Sequence, residues 1–344
     1  MRALGSWRNT TMLDAVQALA GAAIPTLPAV LDPVELVKHL RFLSSPPWNW
    51  GEIGDVRVQG LKTGHRNRWV LGIHLHTAGG VRTLIGKVYA QDRSDVYQAM
   101  VAIGRAGFGP EATFSIAQPI AYLPALNLLL TEKLQGVRAK DVFVSGNDRD
   151  RTDAAQRCAL WLARFHTRAP LCGPVSDLNG YFISLEKWLR RIADVGEPMA
   201  EKATRLLHRL ELAAPATGPI EMCAGHGSYK PSAIILADSQ TVTFDWDSYD
   251  VADPCRDVAK FIVFLERLAF RRAGSIQGPD TSADVFLKTY LAAGPPQVES
   301  RVPFFKAGVF VQFAKYDLSQ PIPTWRSEME AMLDKGLRTL EEWR

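Results

Sequence analysis

Two neighbouring stretches decide the fold of this chain: HGSYKPSAIIL at residues 226–236 and TVTFDWDSYDVADPCRDVA at residues 241–259. The first has the Gly and Pro of a loop followed by an apolar strand, and the second begins as a strand and ends in acidic residues. Together they predict a hairpin-like insertion that carries His226 and Asp245 among helices.

The bulk properties predict a soluble globular protein with two lobes. The chain has 344 residues, 47% apolar and 22% charged, and a formal net charge of only +4. Basic pairs such as Arg190–Arg191 lie within helix-like segments without interleaved aromatic residues, which argues against a nucleic-acid partner. The four cysteines lack metal-ligand spacing and fit a reduced cytoplasmic setting.

The N-terminal residues only faintly resemble a signal peptide. Asp14 and Gln17 interrupt the apolar run, and Pro25 follows it. No uninterrupted apolar stretch approaches the ~18 residues that a membrane span needs. We therefore expect a cytoplasmic protein with no membrane partner.

The order of elements predicts an α+β fold with two lobes. Residues 1–48 are predicted to form a helical extension, with a helix start at Asp32–Pro33. Residues 49–136 have the pattern β-β-β-α-β-β, beginning with a three-stranded antiparallel meander with turns at Thr63–Gly64 and at 78–80. Residues 137–344 are mostly helical, and the aromatic residues of 302–318 have the spacing of core residues. A small antiparallel-sheet lobe followed by a larger helical lobe suggests a cleft.

Within this architecture, the two stretches resemble the active-site segment of the aminoglycoside phosphotransferase and choline kinase-like family, which has a protein-kinase-like fold. The family pattern is roughly HGDxxPxNxL followed by IDWxxxxxGDPxxDLA. LIGKVYA resembles its strand-lysine segment and NLLLTEKLQG its hinge, so the resemblance covers about residues 50–270. The residues in register are His226, Gly227, Pro231, Leu236, Asp245, Trp246, Asp253, Pro254, Asp257 and Ala259.

The resemblance implies a site for ATP and Mg²⁺, with residues 49–136 as the nucleotide-binding lobe. Lys87 matches the lysine that contacts the nucleotide phosphates, and its alternative interpretation is an edge-strand lysine. Asp245, in the strand region 241–247, matches the magnesium-binding carboxylate. Asp247 is a second metal ligand if the backbone stays extended, and otherwise a solvated aspartate. The backbone of residues 132–134, from Glu132 to Leu134, matches the segment that contacts adenine.

Three further residues of the motif region have structural interpretations. The resemblance implies that His226 braces the loop without reacting. Asp253 precedes Pro254 and is explained as a helix cap. His166, in LARFHTRA, is assigned to packing.

The sequence departs from the family at its chemical positions. Ser228 occupies the place of the proposed catalytic base, and a serine hydroxyl cannot take up a proton usefully at neutral pH. Ala233 replaces the metal-binding asparagine, and Gln98 replaces a glutamate that pairs with the strand lysine. Lys230 is kept and matches a lysine that neutralises the transferring phosphate in protein kinase loops. The loop therefore keeps positive charge and loses negative charge.

Two arginines near the first turn add a weaker possibility. Arg66 and Arg68 lie in KTGHRNR and are candidates for direct phosphate contact, although exposed arginines beside a turn are usually solvated.

Three functional hypotheses follow. The first is a kinase-like protein that binds ATP or another phosphorylated ligand with impaired or absent phosphotransfer. The second is an active ATP-dependent phosphotransferase that acts on a small-molecule alcohol through a non-standard site. The third is a partner-binding module without catalysis. The sequence does not identify the acceptor molecule.

Overall fold

The computed structural model describes residues 23–65, 67–273, 281–319 and 323–343. The described chain divides into two compact units. The first comprises the residues up to Arg105 together with Ile116–Leu134, and the second comprises Ala106–Ser115 and the residues from Gln135 onward.

The first unit is built on an antiparallel sheet with helices. The elements up to Glu132 are α1 (Leu27–Leu31), α2 (Pro33–Leu40), β1 (Ile53–His65), β2 (Arg68–Thr77), β3 (Gly80–Tyr89), α3 (Ser94–Ile103), β4 (Phe114–Ile116), β5 (Pro119–Leu123) and β6 (Leu128–Glu132). Of these, β4 pairs with a strand of the second unit and is described with it.

The sheet of the first unit has the strand order β1-β2-β3-β6-β5, and its neighbouring strands are antiparallel. The predicted meander is therefore confirmed. The predicted turn at Thr63–Gly64 is wrong, because β1 continues to His65, which pairs with Arg68. A register shift between Lys62 and His65 explains the error, since glycine within a strand often marks a bulge.

The predicted helix start at Asp32 is confirmed. The Asp32 carboxylate accepts a hydrogen bond from the Val34 amide (2.9 Å), and Pro33 is the first residue of α2. One face of α2 packs its buried Leu36 and Leu40 into the core of the first unit. The sheet supplies buried residues to the same core, among them Val56, Ile73, Leu84, Val88 and Leu128.

The second unit is mostly helical and contains two small sheets. Its remaining elements are β7 (Val137–Arg138), α4 (Ala139–Ser145), α5 (Asp148–Arg168), β8 (Val175–Ser176), α6 (Leu178–Ala193), α7 (Met199–Ala213), β9 (Cys223–Gly225), β10 (Ile234–Leu236), β11 (Thr241–Thr243), β12 (Asp250–Ala252), α8 (Cys255–Ala273), α9 (Thr281–Ala293), α10 (Val302–Asp317) and α11 (Trp325–Glu342). An α+β fold with a small sheet unit and a larger helical unit matches the predicted fold class.

The short strands of the second unit form sheets of order β4-β11-β10-β7 and β8-β12-β9. β10 and β11 form a hairpin in which Ile234 pairs with Thr243. The Thr241 amide donates to the Thr113 carbonyl (2.8 Å), so residues 106–115 belong with this hairpin. The sequence analysis instead assigned them to the first lobe.

Aromatic side chains hold the helices of the second unit around Tyr229. The Tyr229 ring stacks on Trp161 of α5 (5.5 Å between centroids) and on Phe261 of α8 (5.4 Å). Phe261 in turn stacks on Phe286 of α9 (4.0 Å). Because Tyr229 belongs to the predicted active-site loop, this stack anchors the loop in the helical core.

The predicted core position of the aromatic residues in 302–318 is confirmed for Phe304, Phe305 and Phe310, each at most 2% exposed. Within the described ranges, no helix combines the length and apolar character required to cross a bilayer.

Candidate functional site

The loop of residues 226–230 connects β9 to a 3₁₀ turn at Pro231–Ala233. Its middle is fixed by Tyr229, which is fully buried and donates its hydroxyl hydrogen to the Cys158 carbonyl (2.7 Å). Gly227 has φ +69°, and a methyl group on its Cα would overlap the Ser248 carbonyl oxygen. Glycine is therefore required there by both conformation and space.

Asp257, in the first turn of α8, holds the loop by its backbone. Its Oδ2 accepts hydrogen bonds from the amides of His226 (2.6 Å) and Gly227 (3.3 Å), and its Oδ1 accepts one from the amide of Tyr229 (3.3 Å). Burial alone would raise the pKa of Asp257, but His166 and His226 hold that pKa well below its usual range. The carboxylate is thus the centre of the loop structure.

His226 links the loop to the segment that leads to Asp245. Its Nε2–H donates to the Phe244 carbonyl (3.1 Å), and its Nδ1 accepts from the Ser228 amide (3.3 Å). Complete burial lowers the pKa of His226 despite the nearby carboxylates of Asp257 and Asp245. A neutral imidazole with its proton on Nε2 fits both hydrogen bonds. The ring thus connects the loop backbone at Ser228 to the backbone at Phe244.

Asp245 stands two residues after β11, in the left-handed region (φ 74°, ψ 58°). Residues Trp246–Ser248 then form a 3₁₀ turn. The backbone from Asp245 to Asp247 is therefore not extended, and the condition under which Asp247 was predicted as a second metal ligand is not met. Aspartate is among the few residues other than glycine that adopt this conformation readily.

Ser228 and Ala233 lie within an intact backbone framework. The Ala233 amide donates to the Lys230 carbonyl (2.9 Å), and the Ala233 carbonyl accepts from the Phe244 amide (3.0 Å). Ala233 is 1% exposed, so its methyl group fills a closed space. The loop thus keeps its form with a hydroxyl and a methyl at these two positions.

Two lysines are electrostatically coupled at the loop, Lys230 within it and Lys260 on α8. Lys260 is partly buried, and its Nζ donates to the Gly227 carbonyl (3.4 Å). Burial and then the charge of Lys230 lower the pKa of Lys260 to about 8. The sequence analysis identified Lys230 and missed Lys260.

His166 lies behind Asp257, buried as predicted. Its Nδ1 is hydrogen-bonded to the Tyr290 hydroxyl of α9 (2.7 Å), and its Nε2 lies 3.8 Å from Asp257 Oδ2. Burial alone would lower the pKa of His166, but Cys223, Tyr290 and Asp257 outweigh it and raise that pKa well above its usual range. His166 therefore supplies a positive charge to the carboxylate that holds the loop.

The capping role predicted for Asp253 is confirmed, because its Oδ1 accepts from the Cys255 amide (2.8 Å). Asp253 also forms a buried ion pair with Arg301, whose Nη1 donates to the Gly218 carbonyl (2.6 Å). No local sequence signal indicated this pair, since 48 positions separate the two residues.

Lys87 belongs to the interior strand of the first unit's sheet. It pairs with Val70 of β2 and with Leu129 of β6, so its interpretation as an edge-strand lysine is wrong. The buried Leu84 and Val88 alternate with it and face the core, which leaves Lys87 on the opposite face.

The other predicted residues of the first unit are described separately. Gln98 is exposed on α3. Glu132 ends β6, where its Oε1 accepts from the Gln118 amide (2.9 Å) and its own amide donates to the Gln118 carbonyl (3.2 Å). Burial raises the pKa of the Glu132 carboxyl.

Leu134 is partly buried and is the last residue of the first unit. Arg68 begins β2, and Arg66 lies outside the described residues.

The donor set at Asp245 and Asp247 suits a hard cation in part. Carboxylate oxygens are ligands that Mg²⁺ accepts, and Mg²⁺ commonly takes one or two carboxylates with phosphates and water completing its shell. Among the described residues, no group of three or more His, Cys, Asp or Glu side chains forms a metal-binding cluster. These carboxylates alone would leave most of the Mg²⁺ coordination shell to phosphates or water.

Residues 73–299 match the model of the phosphotransferase enzyme family, which covers well over half of the chain and includes the loop, Asp245 and Asp257. The chain belongs to this phosphotransferase family. Lys87, β9–β12 and the first part of α8 all lie inside the matched region.

Solved structures with the same fold include other phosphotransferases. A choline/ethanolamine kinase family protein from Mesorhizobium loti has a TM-score of 0.60 at 15% identity, over 90% of this chain and 96% of that one. Choline kinase from Cryptosporidium parvum has a TM-score of 0.61 at 11% identity, with the same coverage of 90% and 96%.

An amicoumacin kinase in complex with AMP-PNP and Ca²⁺ has a TM-score of 0.57 at 12% identity, over 83% of this chain and 88% of that one. These identities show a shared fold alone. No curated protein sequence matches the chain.

Proposed function

We propose that this member of the phosphotransferase family binds ATP or another phosphorylated ligand and that its phosphotransfer is impaired or absent. One observation carries the proposal: the loop framework made by Asp257 and His226 is complete, while positions 228 and 233 hold a hydroxyl and a methyl. The loop thus keeps its internal hydrogen bonds and lacks the groups that the family resemblance assigns to proton transfer and to one metal contact.

The expected loss of rate comes mainly from Ser228. A general base contributes a factor of ~10²–10⁴ in rate, and a serine hydroxyl does not supply this function at neutral pH. The His226 imidazole does not replace it, because both of its nitrogens are already engaged in hydrogen bonds with Phe244 and Ser228. Transfer would then rely on positioning and charge alone.

The residue assigned to Mg²⁺ is Asp245, with Asp247 of the following 3₁₀ turn as a further carboxylate and with Ala233 contributing no lone pair. When bound, the metal would neutralise charge on the phosphate oxygens. The amicoumacin kinase with AMP-PNP and Ca²⁺ supports the use of a nucleotide with a divalent ion in this fold. In the first unit we assign Lys87 to a nucleotide phosphate and the backbone of residues 132–134 to the base. In the second unit we assign Lys230 to the group that is transferred, and an unidentified small molecule is the second ligand.

An active ATP-dependent phosphotransferase is the second candidate. The retention of Asp245 and Lys230 and the interior position of Lys87 in its sheet favour it. A loose transition state requires little deprotonation before attack, so a hydroxyl acceptor could react without a base. A partner-binding module without any ligand is the third candidate, and it predicts that no nucleotide changes stability.

All four cysteines are free thiols. Burial raises the pKa of two of them, Cys158 and Cys255. Free thiols support a reducing compartment, and we propose a cytoplasmic location.

The first test is thermal unfolding with and without ATP and Mg²⁺. A ligand at ~100 times its dissociation constant adds ~2.7 kcal/mol to the free energy of unfolding. We expect stabilisation by nucleotide together with no measurable ATP hydrolysis or transfer to a panel of small alcohols. The absence of stabilisation by any nucleotide would remove both ligand-binding candidates.

The second test restores the two family residues through Ser228→Asp with Ala233→Asn. We expect ATP hydrolysis or transfer to appear in this variant alone. The matched control is Ser232→Asp with Ala233→Asn, which adds the same charge to the same loop four residues from position 228. Clear activity in the unmodified protein would refute the impaired interpretation and support the second candidate.

A further inference from the structure

Lys260 carries its positive charge without a close carboxylate. In the described part of the chain, the one hydrogen bond recorded for its Nζ is the 3.4 Å contact to the Gly227 carbonyl, and no acidic side chain lies within ion-pair distance. This length is at the limit of a useful hydrogen bond. The ammonium group is therefore weakly compensated where it lies.

The acidic residues around Lys260 are already engaged elsewhere. Asp257 accepts three backbone hydrogen bonds from the loop. Asp250 of β12 accepts from Arg256 Nη1 (2.5 Å). Each carboxylate thus has partners of its own, and Lys260 receives only their longer-range attraction.

Two other partly buried lysines of the second unit, Lys306 and Lys202, have carboxylate partners. Lys306 Nζ lies 2.6 Å from Glu266, and Lys202 Nζ lies 2.7 Å from Glu330. A partly desolvated charge costs free energy unless an opposite charge or good hydrogen bonds compensate it. The lowered pKa of Lys260 is the expected sign of this cost.

We propose that Lys260, together with Lys230, forms an anion site at the 227–230 loop that receives a phosphate or carboxylate group from a ligand. Ser228 brings no negative charge to the residue that follows Gly227, whereas an aspartate at position 228 would add an anionic group to this loop and oppose an incoming anion. The inference rests on the proposed function only in taking this loop as the place where a ligand binds. It adds Lys260, which lies outside the family pattern, as a binding residue, and it specifies that the bound group is negatively charged.

Two sources could supply the anion: the phosphates of a nucleotide, or an acidic group on the second small molecule. If the nucleotide supplies the anion, the nucleotide and inorganic phosphate compete for the same site. The second predicts that phosphate and nucleotide bind together. Both sources share the requirement for the Lys260 ammonium.

The experiment compares the full-length protein with Lys260→Gln and with the control Lys315→Gln. Lys315 on α10 is also partly buried, and its pKa is lowered by burial and by the neighbouring Arg191 and Lys187. Binding of inorganic phosphate and of AMP-PNP, each without metal, is measured by calorimetry near neutral pH. Thermal unfolding without ligand reports whether each variant folds.

We expect Lys260→Gln to weaken phosphate binding by about tenfold or more, and Lys315→Gln to leave it within about twofold. Without ligand, Lys260→Gln should be as stable as the wild type or more stable, because it removes a poorly compensated charge. If AMP-PNP binding weakens in parallel and AMP-PNP displaces phosphate, the nucleotide is the source. The second small molecule is the source if two results are found together. AMP-PNP binding is unchanged in Lys260→Gln, and phosphate still binds to the wild-type protein in the presence of AMP-PNP.

Three results would overturn the inference: no phosphate binding by the wild-type protein, equal losses in the two variants, or a large loss of stability in Lys260→Gln without ligand. The outcome is separable from that of the proposed function. AMP-PNP binding accompanied by any of these three results removes the Lys260 site and leaves the proposed function standing. Phosphate binding that needs Lys260, in a protein that binds no nucleotide, keeps the site and removes the nucleotide from the proposed function.

Discussion

Replacement of Asp257 by asparagine should destabilise the second unit more than its small change in size suggests. The carboxylate accepts three amide hydrogens, two at Oδ2 and one at Oδ1. An asparagine side chain offers one acceptor oxygen. Its best orientation places that oxygen toward His226 and Gly227 and turns the amide NH₂ against the Tyr229 N–H.

The magnitude follows from these three bonds. The Tyr229 amide becomes a buried donor without an acceptor, which costs ~1–3 kcal/mol. The other two bonds change from charged to neutral acceptors, and each loses about 1 kcal/mol. The total is ~3–5 kcal/mol, before any contribution from His166, which loses its neighbouring negative charge.

The pH dependence gives a second signature. The folded-state pKa of His166 is raised, so its contribution to stability is complete below its ordinary pKa of ~6.5 and is lost as pH rises through the folded-state value. The folded-state pKa of Asp257 is lowered, so its contribution is present above ~3.9 and is lost as pH falls through the folded-state value. Asp257→Asn should therefore cost most between pH ~4 and ~6.5, and less at higher pH.

Urea denaturation followed by tryptophan fluorescence measures the effect, since Trp161 and Trp246 are buried beside the loop. The matched control is Asp177→Asn, where an exposed helix-capping carboxylate accepts a single amide hydrogen from Gly180 (2.7 Å). A loss below about 0.5 kcal/mol is expected there, because asparagine caps a helix about as well as aspartate. A loss in Asp257→Asn below ~1 kcal/mol, or equal to that of the control at every pH, would refute the role assigned to Asp257.

Two further stability predictions concern glycine and buried charge. Gly227→Ala should cost at least ~3 kcal/mol in a denaturation experiment, because its methyl group meets the Ser248 carbonyl at a positive φ; a near-neutral effect would contradict the geometry of the loop. Arg267→Met should cost ~3–5 kcal/mol, because it leaves the buried Asp317 carboxylate without its close partner. Arg271→Met should cost less than ~1 kcal/mol, because the Arg271 side chain is 39% exposed, and equal losses in the two variants would argue against this ranking.

The sequence predicted the fold well where the signals were local. Strand alternation gave the meander, and the proline and capping aspartate at 32–33 gave the start of α2. The turn at 63–64 was misplaced because glycine serves equally in turns and in strand bulges. The assignment of residues 106–115 failed because their pairing partner, Thr241, is far along the chain.

For the candidate site too, local signals could be interpreted from the sequence and long-range contacts could not. Motif register identified His226, Lys230 and Asp245, whose positions can be read one at a time. Asp257 also lay in register, but its role depends on three amides about thirty positions earlier. The left-handed conformation at Asp245 and the contact of Lys260 with Gly227 depend on tertiary packing, and no periodicity indicates either.

The way in which Asp257 holds the loop separates its shape from its chemistry. The three groups that it binds are main-chain amides at positions 226, 227 and 229, which every amino acid except proline possesses. The side chain at position 228 takes no part in that attachment. Mutation at 228 can therefore add, remove or invert a charge while the loop remains anchored, which makes this position an economical place to design new reactivity into the scaffold.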